Sequence, residues 1–239
     1  MQEVMPSGLT AIELFADMPP AQVQALEERC VWRRYDRNEL ILDRDSESRD
    51  VFFVAEGQVQ VKNYSYSGRE IALATIRTGG YFGELSAIDN ERRSATVLAA
   101  EECLLAAMTP GVFGDLLATQ PAVALMVLRR LARIIRVCDE RILDLSTLGA
   151  VQRVYVELLR LAGPDAAVPS LRSIYPMPTQ AEVAGRASTT RETVARVIGQ
   201  LSQAAIVERK GKTLYIKKPD DLETLAERLR PDETESASR

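Results

Sequence analysis

Residues 79–95 run Gly79-Gly80-Tyr81-Phe82-Gly83-Glu84-Leu85-Ser86-Ala87-Ile88-Asp89-Asn90-Glu91-Arg92-Arg93-Ser94-Ala95. Gly83 lets the backbone come close to a ligand, and residues 84–88 suffice for one helical turn whose free N–H groups face an anion. Arg93 has the planar fork that pairs with phosphate oxygens. Glu84 is the kind of acceptor that holds a ribose hydroxyl in dinucleotide sites. One segment thus combines an anion cradle, a phosphate-pairing cation and a sugar acceptor. A bare Gly-Glu-Leu reads equally well as a glycine-rich turn with a surface ion pair. The Arg93-Ser94-Ala95 run that follows favours the cradle, and Arg92 is a neighbouring candidate for the cation.

Short strands surround this segment. Val51-Phe52-Phe53-Val54 is apolar and β-favouring, Gly57 punctuates it, and Gln58-Val59-Gln60-Val61 alternates. Ser67-Gly68 marks a hairpin turn before Ile71 to Ile76. Residues 95–98 and 103–106 continue the pattern, and residues 21–31 read as a short amphipathic helix ahead of it. Many short strands with glycine turns predict a β-roll or jelly-roll sensor domain. With the helices that follow, the fold class is α+β.

The chain has 239 residues, 46% apolar and 27% charged, an ordinary balance for a globular protein. It contains no histidine. That removes Ser-His and Cys-His nucleophile pairs, imidazole proton shuttles and His-ligated zinc or haem. Cys30, Cys103 and Cys138 lie far apart and cannot supply the four thiolates of an iron-sulfur cluster. No metal, haem or cluster is expected. With no nucleophile–base pair and no Walker-type loop in view, neither is catalysis. Residues 1–6 lack a basic segment followed by an apolar run, and the apolar stretches fall short of the ~20 residues of a membrane helix. A cytoplasmic protein without membrane attachment is expected.

Pro121 suits the first turn of a helix, and neither glycine nor proline recurs until Gly149. Leu128, Leu131, Ile135, Cys138, Ile142 and Leu145 are spaced 3, 4, 3, 4, 3. An amphipathic helix packed on its own domain is one reading. The period of 3.5 favours a two-stranded coiled coil, hence a homodimer through this helix.

Val151 to Leu161 is again apolar at helical spacing. Gly163-Pro164 breaks it, and residues 163–178 look loop-like. Thr179-Gln180-Ala181-Glu182 is a capping box, and Thr189-Thr190-Arg191-Glu192 reads as a second one. Two short helices with a tight link match a helix-turn-helix. Residues 208–216 read as a β-hairpin turning at Lys210-Gly211, a wing with Lys210 and Lys212 at its tip. Arg191, Glu192 and Arg196, expected on roughly one helix face, suit base edges in the major groove of double-stranded DNA. Thr179, Gln180, Thr189 and Thr190 suit phosphates. Charge agrees. Residues 150–218 hold eleven Lys/Arg against five Asp/Glu, within a chain of net charge −4. The divisions expected are 1–120, 121–148, 149–218 and an acidic tail, 219–239. The tail would begin with a short helix over 221–229 and end disordered.

The run FGELSAIDNERRSA (82–95) resembles the phosphate-binding cassette of cyclic-nucleotide-binding domains, in particular that of the cyclic-AMP receptor protein family of bacterial transcription regulators. STTRETVARVIGQL (188–201) resembles the family's recognition helix, with its Arg-Glu-Thr-Val-x-Arg core intact. The resemblance covers roughly residues 10–218. It implies that Glu84 takes the ribose 2′-hydroxyl, and that Arg93 and Ser94 take the cyclic phosphate. Gly83, Leu85, Ser86 and Ala95 complete that cassette. It also implies a dimer reading a TGTGA-like inverted repeat, with RNA polymerase as a further partner. In the family, two adjacent hydroxyl residues of the central helix meet the base. Their positions here are Cys138 and Asp139, a departure from the family's Thr-Ser pair. Asp139 can accept from the adenine amine, or from N1–H and the 2-amino group of guanine, or simply pair with Arg136. The effector implied is therefore cAMP, with cGMP open. A vestigial pocket, a cyclic dinucleotide or a regulatory subunit of an enzyme are the other readings. The oxygen-sensing and carbon-monoxide-sensing branches need clustered cysteines or a haem histidine that this chain lacks.

Overall fold

The computed structural model describes residues 8–64, 70–165 and 171–227. The chain divides into two compact units, Met1–Ile135 and Arg136–Arg239.

In the first unit, two 3-10 turns (Leu9–Ala11, Glu13–Phe15) lead into α1 (Pro20–Glu27). The strands are β1 (Cys30–Tyr35), β2 (Leu40–Leu42), β3 (Val51–Glu56), β4 (Gln58–Tyr64), β5 (Glu70–Arg77) and β6 (Tyr81–Phe82). After α2 (Glu84–Asp89) come β7 (Thr96–Ala99), β8 (Cys103–Met108) and α3 (Pro110–Thr119). The long helix α4 (Pro121–Thr147) then carries the chain into the second unit. Two antiparallel sheets, ordered β1-β8-β3-β6 and β2-β7-β4-β5, form the roll.

The apolar run Val51–Val54 has a physical cause. Phe52 and Val54 enter one core with Val59, Phe82, Val97 and Leu105, whereas Val51 and Phe53 enter another with Phe15, Val23, Phe113 and Val127. Side chains alternate across a strand, so a strand buried on both faces is apolar at every position. Phe52 pairs with Phe82 across the sheet, and their rings stack at 5.2 Å. The 79–95 segment is thus suspended from β3, a strand buried along nearly its whole length.

One expectation shifts here. Cys30 and Val31 belong to β1, because the first helix ends at Glu27. β1 is an edge strand whose Arg33 and Arg34 reach out to Glu39 (2.8 Å) and Glu56 (3.2 Å), and such edge charges mask the strand pattern. The expected turn at Ser67-Gly68 lies outside the described residues.

The second unit follows the end of α4 with α5 (Ala150–Leu161), β9 (Gly163–Pro164), β10 (Arg172–Ile174) and α6 (Gln180–Arg186). Then come α7 (Arg191–Gln203), β11 (Val207–Lys210), β12 (Thr213–Ile216) and α8 (Pro219–Glu227). Val154, Leu158, Val183, Val194, Val197, Leu201, Leu214, Ile216 and Leu222 share one core. The stretch read as loop over 163–178 is partly strand. Arg172–Ile174 pairs with β12 on one side and with Gly163–Pro164 on the other. Pairing with a hairpin some 40 residues on supplies the hydrogen bonds, so local proline content was a poor guide. The expected disordered end of the chain lies outside the described residues.

Candidate functional site

Gly83 sits at φ +85°, the left-handed region, immediately before α2. A Cβ there would lie 2.7 Å from Arg93 Nη1 and 2.8 Å from Asp50 O, so both conformation and space demand glycine. Glu84 opens α2 and is 5% exposed. Arg93 is 2% exposed. Its Nη1 donates to Gly83 O (2.9 Å), its Nη2 to Asp50 O (2.7 Å) and its Nε to Ser48 Oγ (3.1 Å). Its backbone pairs with Asp45 and Ser46, which holds residues 43–50 against the cassette. Among the described residues no carboxylate lies within ion-pair distance of Arg93. Burial lowers its pKa, while the more distant Asp50 and Glu84 raise it. A guanidinium has five N–H donors, so three internal bonds leave two.

The remaining cassette positions are distributed as follows. Ser94 is exposed, with its carbonyl held by Asn63 Nδ2 at 3.1 Å, and Ala95 is buried. Leu85 is 40% exposed. Ser86 is buried and its hydroxyl donates to Arg92 O at 3.3 Å. It therefore braces the loop from behind. Arg92 is exposed and reaches Glu47, so Arg93 is the inward cation. Ser48 and Asp50 escaped sequence reading, since nothing local marks a residue that meets Arg93 from more than 40 positions away.

Along α4, Val123 and Val127 are buried. Leu128 (61%), Ile135 (59%) and Ile142 (62%) are exposed, as are Leu145 and Cys138, and Leu131 is half-buried. Asp139 is exposed too. Most of the heptad residues thus form an apolar row facing away from the protomer.

At the helix-turn-helix, α6 begins with the expected capping box. Thr179 Oγ1 accepts from Glu182 N (3.2 Å), and Glu182 Oε2 accepts from Thr179 N (2.7 Å). The second capping box is corrected. Thr190, not Thr189, caps α7, and its Oγ1 accepts from Thr193 N at 3.2 Å. Ser188 at φ +49° makes the turn, and Thr189 is buried with its N–H on Ala184 O, which takes it away from a phosphate-facing position. Arg191, Glu192 and Arg196 are exposed. Five residues turn a helix by ~500°, so the two arginines stand about 140° apart rather than on one face. They border a stripe that includes Glu192, Ala195 and Gly199, and a Cβ on Gly199 would meet nothing within 4 Å. Hydrogen bonds from its own N–H and the Thr190 hydroxyl hold the Glu192 carboxyl below its ordinary range, so it stays an acceptor.

The wing turns at Gly211-Lys212, since Lys210 already pairs with Thr213. Lys210 reaches Glu208 at 3.2 Å, whereas Lys212 is exposed at the tip. Arg153 on α5, which sequence reading did not single out, donates to Leu148 O (2.7 Å), Ala187 O (2.9 Å) and Ser188 O (3.0 Å). One guanidinium thus joins the end of α4 to the turn of the helix-turn-helix.

A roll with an anion cassette, joined by a long helix to a winged helix-turn-helix, defines a DNA-binding regulator with a ligand-sensing domain. The cyclic nucleotide-binding domain family matches residues 32–120, and the Crp-like helix-turn-helix domain family matches residues 152–225. The chain belongs to the cyclic-AMP receptor protein family, the cyclic-nucleotide-binding transcription regulators of bacteria. The cyclic AMP receptor protein of Thermus thermophilus is 29% identical over 213 residues, 89% of this chain and 96% of its own. The cAMP-activated global transcriptional regulator Vfr of Pseudomonas aeruginosa is 27% identical over 191 residues, 78% of this chain and 89% of its own. A CooA variant from Carboxydothermus hydrogenoformans shares the fold, with a TM-score of 0.77 at 20% identity over 94% of this chain and 98% of its own. Among the described residues no single helix is long and apolar enough to cross a membrane, and no group of three or more metal-ligating side chains occurs.

Proposed function

We propose that the protein is a cytoplasmic homodimer, paired through α4, whose DNA binding is switched by a cyclic purine nucleotide, cAMP foremost. The observation that carries the reading is Arg93. It is a buried cation with no paired carboxylate among the described residues and with two N–H donors to spare, set in the family's cassette. Burying an unpaired charge is costly, and a phosphate offsets that cost. Arg93 and the hydroxyl of Ser94 hold the phosphate, the α2 amides assist, and Glu84 takes the ribose 2′-hydroxyl. Gly83, Leu85 and Ala95 shape the cassette around them. The names of the Thermus and Pseudomonas relatives support cAMP.

Cys138 and Asp139 meet the base. The carboxylate of Asp139 favours one second reading, cGMP, because guanine presents two donors on one edge where adenine presents one.

Residues 1–120 act as sensor, 121–148 as dimer helix and hinge, and 149–218 as DNA reader, with 219–239 as a tail of unassigned role. The dimer reads a TGTGA-like inverted repeat with Arg191, Glu192 and Arg196, and positions itself on phosphates with Thr179, Gln180, Thr190, Lys210 and Lys212. Two-fold reading sets the recognition helices about 34 Å apart. The DNA-bound dimer meets RNA polymerase.

Calorimetric titration with cAMP and cGMP, followed by DNA binding with each, tests the reading. Sub-millimolar binding of one nucleotide and tighter DNA binding in its presence are expected. Failure of both nucleotides to bind at that concentration refutes it.

A further inference from the structure

We infer that Arg130 is a positioning residue that ties the phosphate cassette to the central helix, so that α4 reads the cassette through Tyr81. The inference rests on the nucleotide-switch reading above. Val123, Val127 and Arg130 follow one another at helical spacings of 4 and 3, so Arg130 extends the stripe of α4 that faces the roll. It grips one residue in two ways. Nη2 donates to Tyr81 O at 2.6 Å, and Cζ lies 3.9 Å from the centroid of the Tyr81 ring. The first contact fixes backbone, and the second is a cation–π contact that fixes the ring. Tyr81 is 5% exposed and packs on Phe53 at 6.2 Å, so it cannot leave α4 without opening the core.

Two residues further on, Arg93 holds Gly83 O. The segment 81–83 is therefore held by a guanidinium at each end, one from the cassette and one from α4. Two residues span at most about 7 Å, and this pair lies in a short strand and a tight turn with little slack. A phosphate that draws on Arg93 shifts Gly83, and the shift reaches Arg130 through Tyr81. The side-chain field points the same way. Burial raises the Tyr81 pKa most, Arg130 lowers it and Glu84 raises it, so Glu84, Tyr81 and Arg130 act on one another. Among the described residues the buried Tyr81 hydroxyl meets no partner at hydrogen-bond geometry, although Arg130 lies near enough to lower its pKa, so the grip rests on carbonyl and ring.

Nucleotide affinity by calorimetry, and the ratio of affinities for a TGTGA inverted-repeat duplex with and without cAMP or cGMP, test this on the full chain. Arg130→Met is expected to keep nucleotide affinity within about fivefold while reducing the ratio at least tenfold. Tyr81→Phe keeps ring and carbonyl and is expected to leave the ratio at its wild-type value. If Arg130→Met does not fold, Arg130→Lys takes its place. It keeps a donor for the carbonyl but loses the flat stack, and a smaller ratio is expected. A wild-type ratio in the folded Arg130 variant overturns the inference, as does a ratio lost in Tyr81→Phe. A wild-type protein that binds neither nucleotide overturns the nucleotide reading itself. A wild type that responds, beside an Arg130 variant that responds equally, overturns only the role of Arg130.

Discussion

Arg93 and Gly83 hold each other in place: Arg93 Nη1 donates to the Gly83 carbonyl at 2.9 Å, and any Cβ on residue 83 would lie 2.7 Å from that same nitrogen. Gly83→Ala is therefore expected to destabilise the protein by about 1–3 kcal/mol in urea titration, from backbone strain and a displaced guanidinium. Arg93→Ala is expected to abolish nucleotide response, leaving salt-dependent non-specific DNA binding in place. Undiminished nucleotide affinity in Arg93→Ala would sink the phosphate role.

The exposed row on α4 makes a second prediction. Ile135→Asp combined with Ile142→Asp places two charges on a seam that needs apolar surface. Sedimentation should then find a monomer where the wild type is a dimer. Equal dimer affinity would move the interface elsewhere.

For DNA, the two kinds of basic residue should separate in one experiment. Arg191→Ala is expected to lose about 1–3 kcal/mol of discrimination at one base pair, with nucleotide affinity kept. Lys212→Ala should weaken binding to every sequence alike and reduce the slope of log affinity against log salt by about 1.

Arg153 spans three carbonyls, those of Leu148, Ala187 and Ser188. Bonds to a charged donor contribute about 1.5–3 kcal/mol each but do not add fully, so Arg153→Ala is expected to cost roughly 3 kcal/mol. Arg153→Lys should recover only part of it, because an ammonium cannot fork across three oxygens. A loss below about 0.5 kcal/mol in denaturant titration would show the carbonyls to be satisfied another way.

Glu157 supplies a pH test. Burial raises its pKa above the ordinary 4.5, against Arg186, Arg141 and Arg160, which lower it. The folded chain thus holds this proton more tightly than the unfolded one. The stability it contributes is present below 4.5 and is lost as pH rises through the raised value. The stability of Glu157→Gln relative to wild type should therefore grow across that window. A difference that stays flat as pH rises from 4.5 to neutrality and above would contradict the shift.

Much of the fold was legible because its signals are local. The Thr179–Glu182 box, the heptad row of α4 and the double-sided apolar run of β3 each act within a few residues of chain. The errors fell where two local signals competed or where pairing was distant. Adjacent threonines at 189 and 190 offered two caps, and only the Ser188 turn decided between them. β10 is a strand because a distant hairpin pairs with it, β9 is one because β10 pairs with it in turn, and nothing in their own composition says so.

By itself, the amino-acid order determined the two-part architecture, the cassette, the helix-turn-helix and the identity of the inward-facing chemistry at Glu84 and Arg93. Tertiary structure alone decided what the arginines touch. Arg93 meets Asp50 from 43 positions away, Arg130 meets Tyr81 from 49, and Arg153 meets Ala187 from 34. In each case the acceptor is a backbone carbonyl. Every residue carries one, so no side-chain pattern can announce which carbonyl a guanidinium will find, and only the packed chain brings the two together.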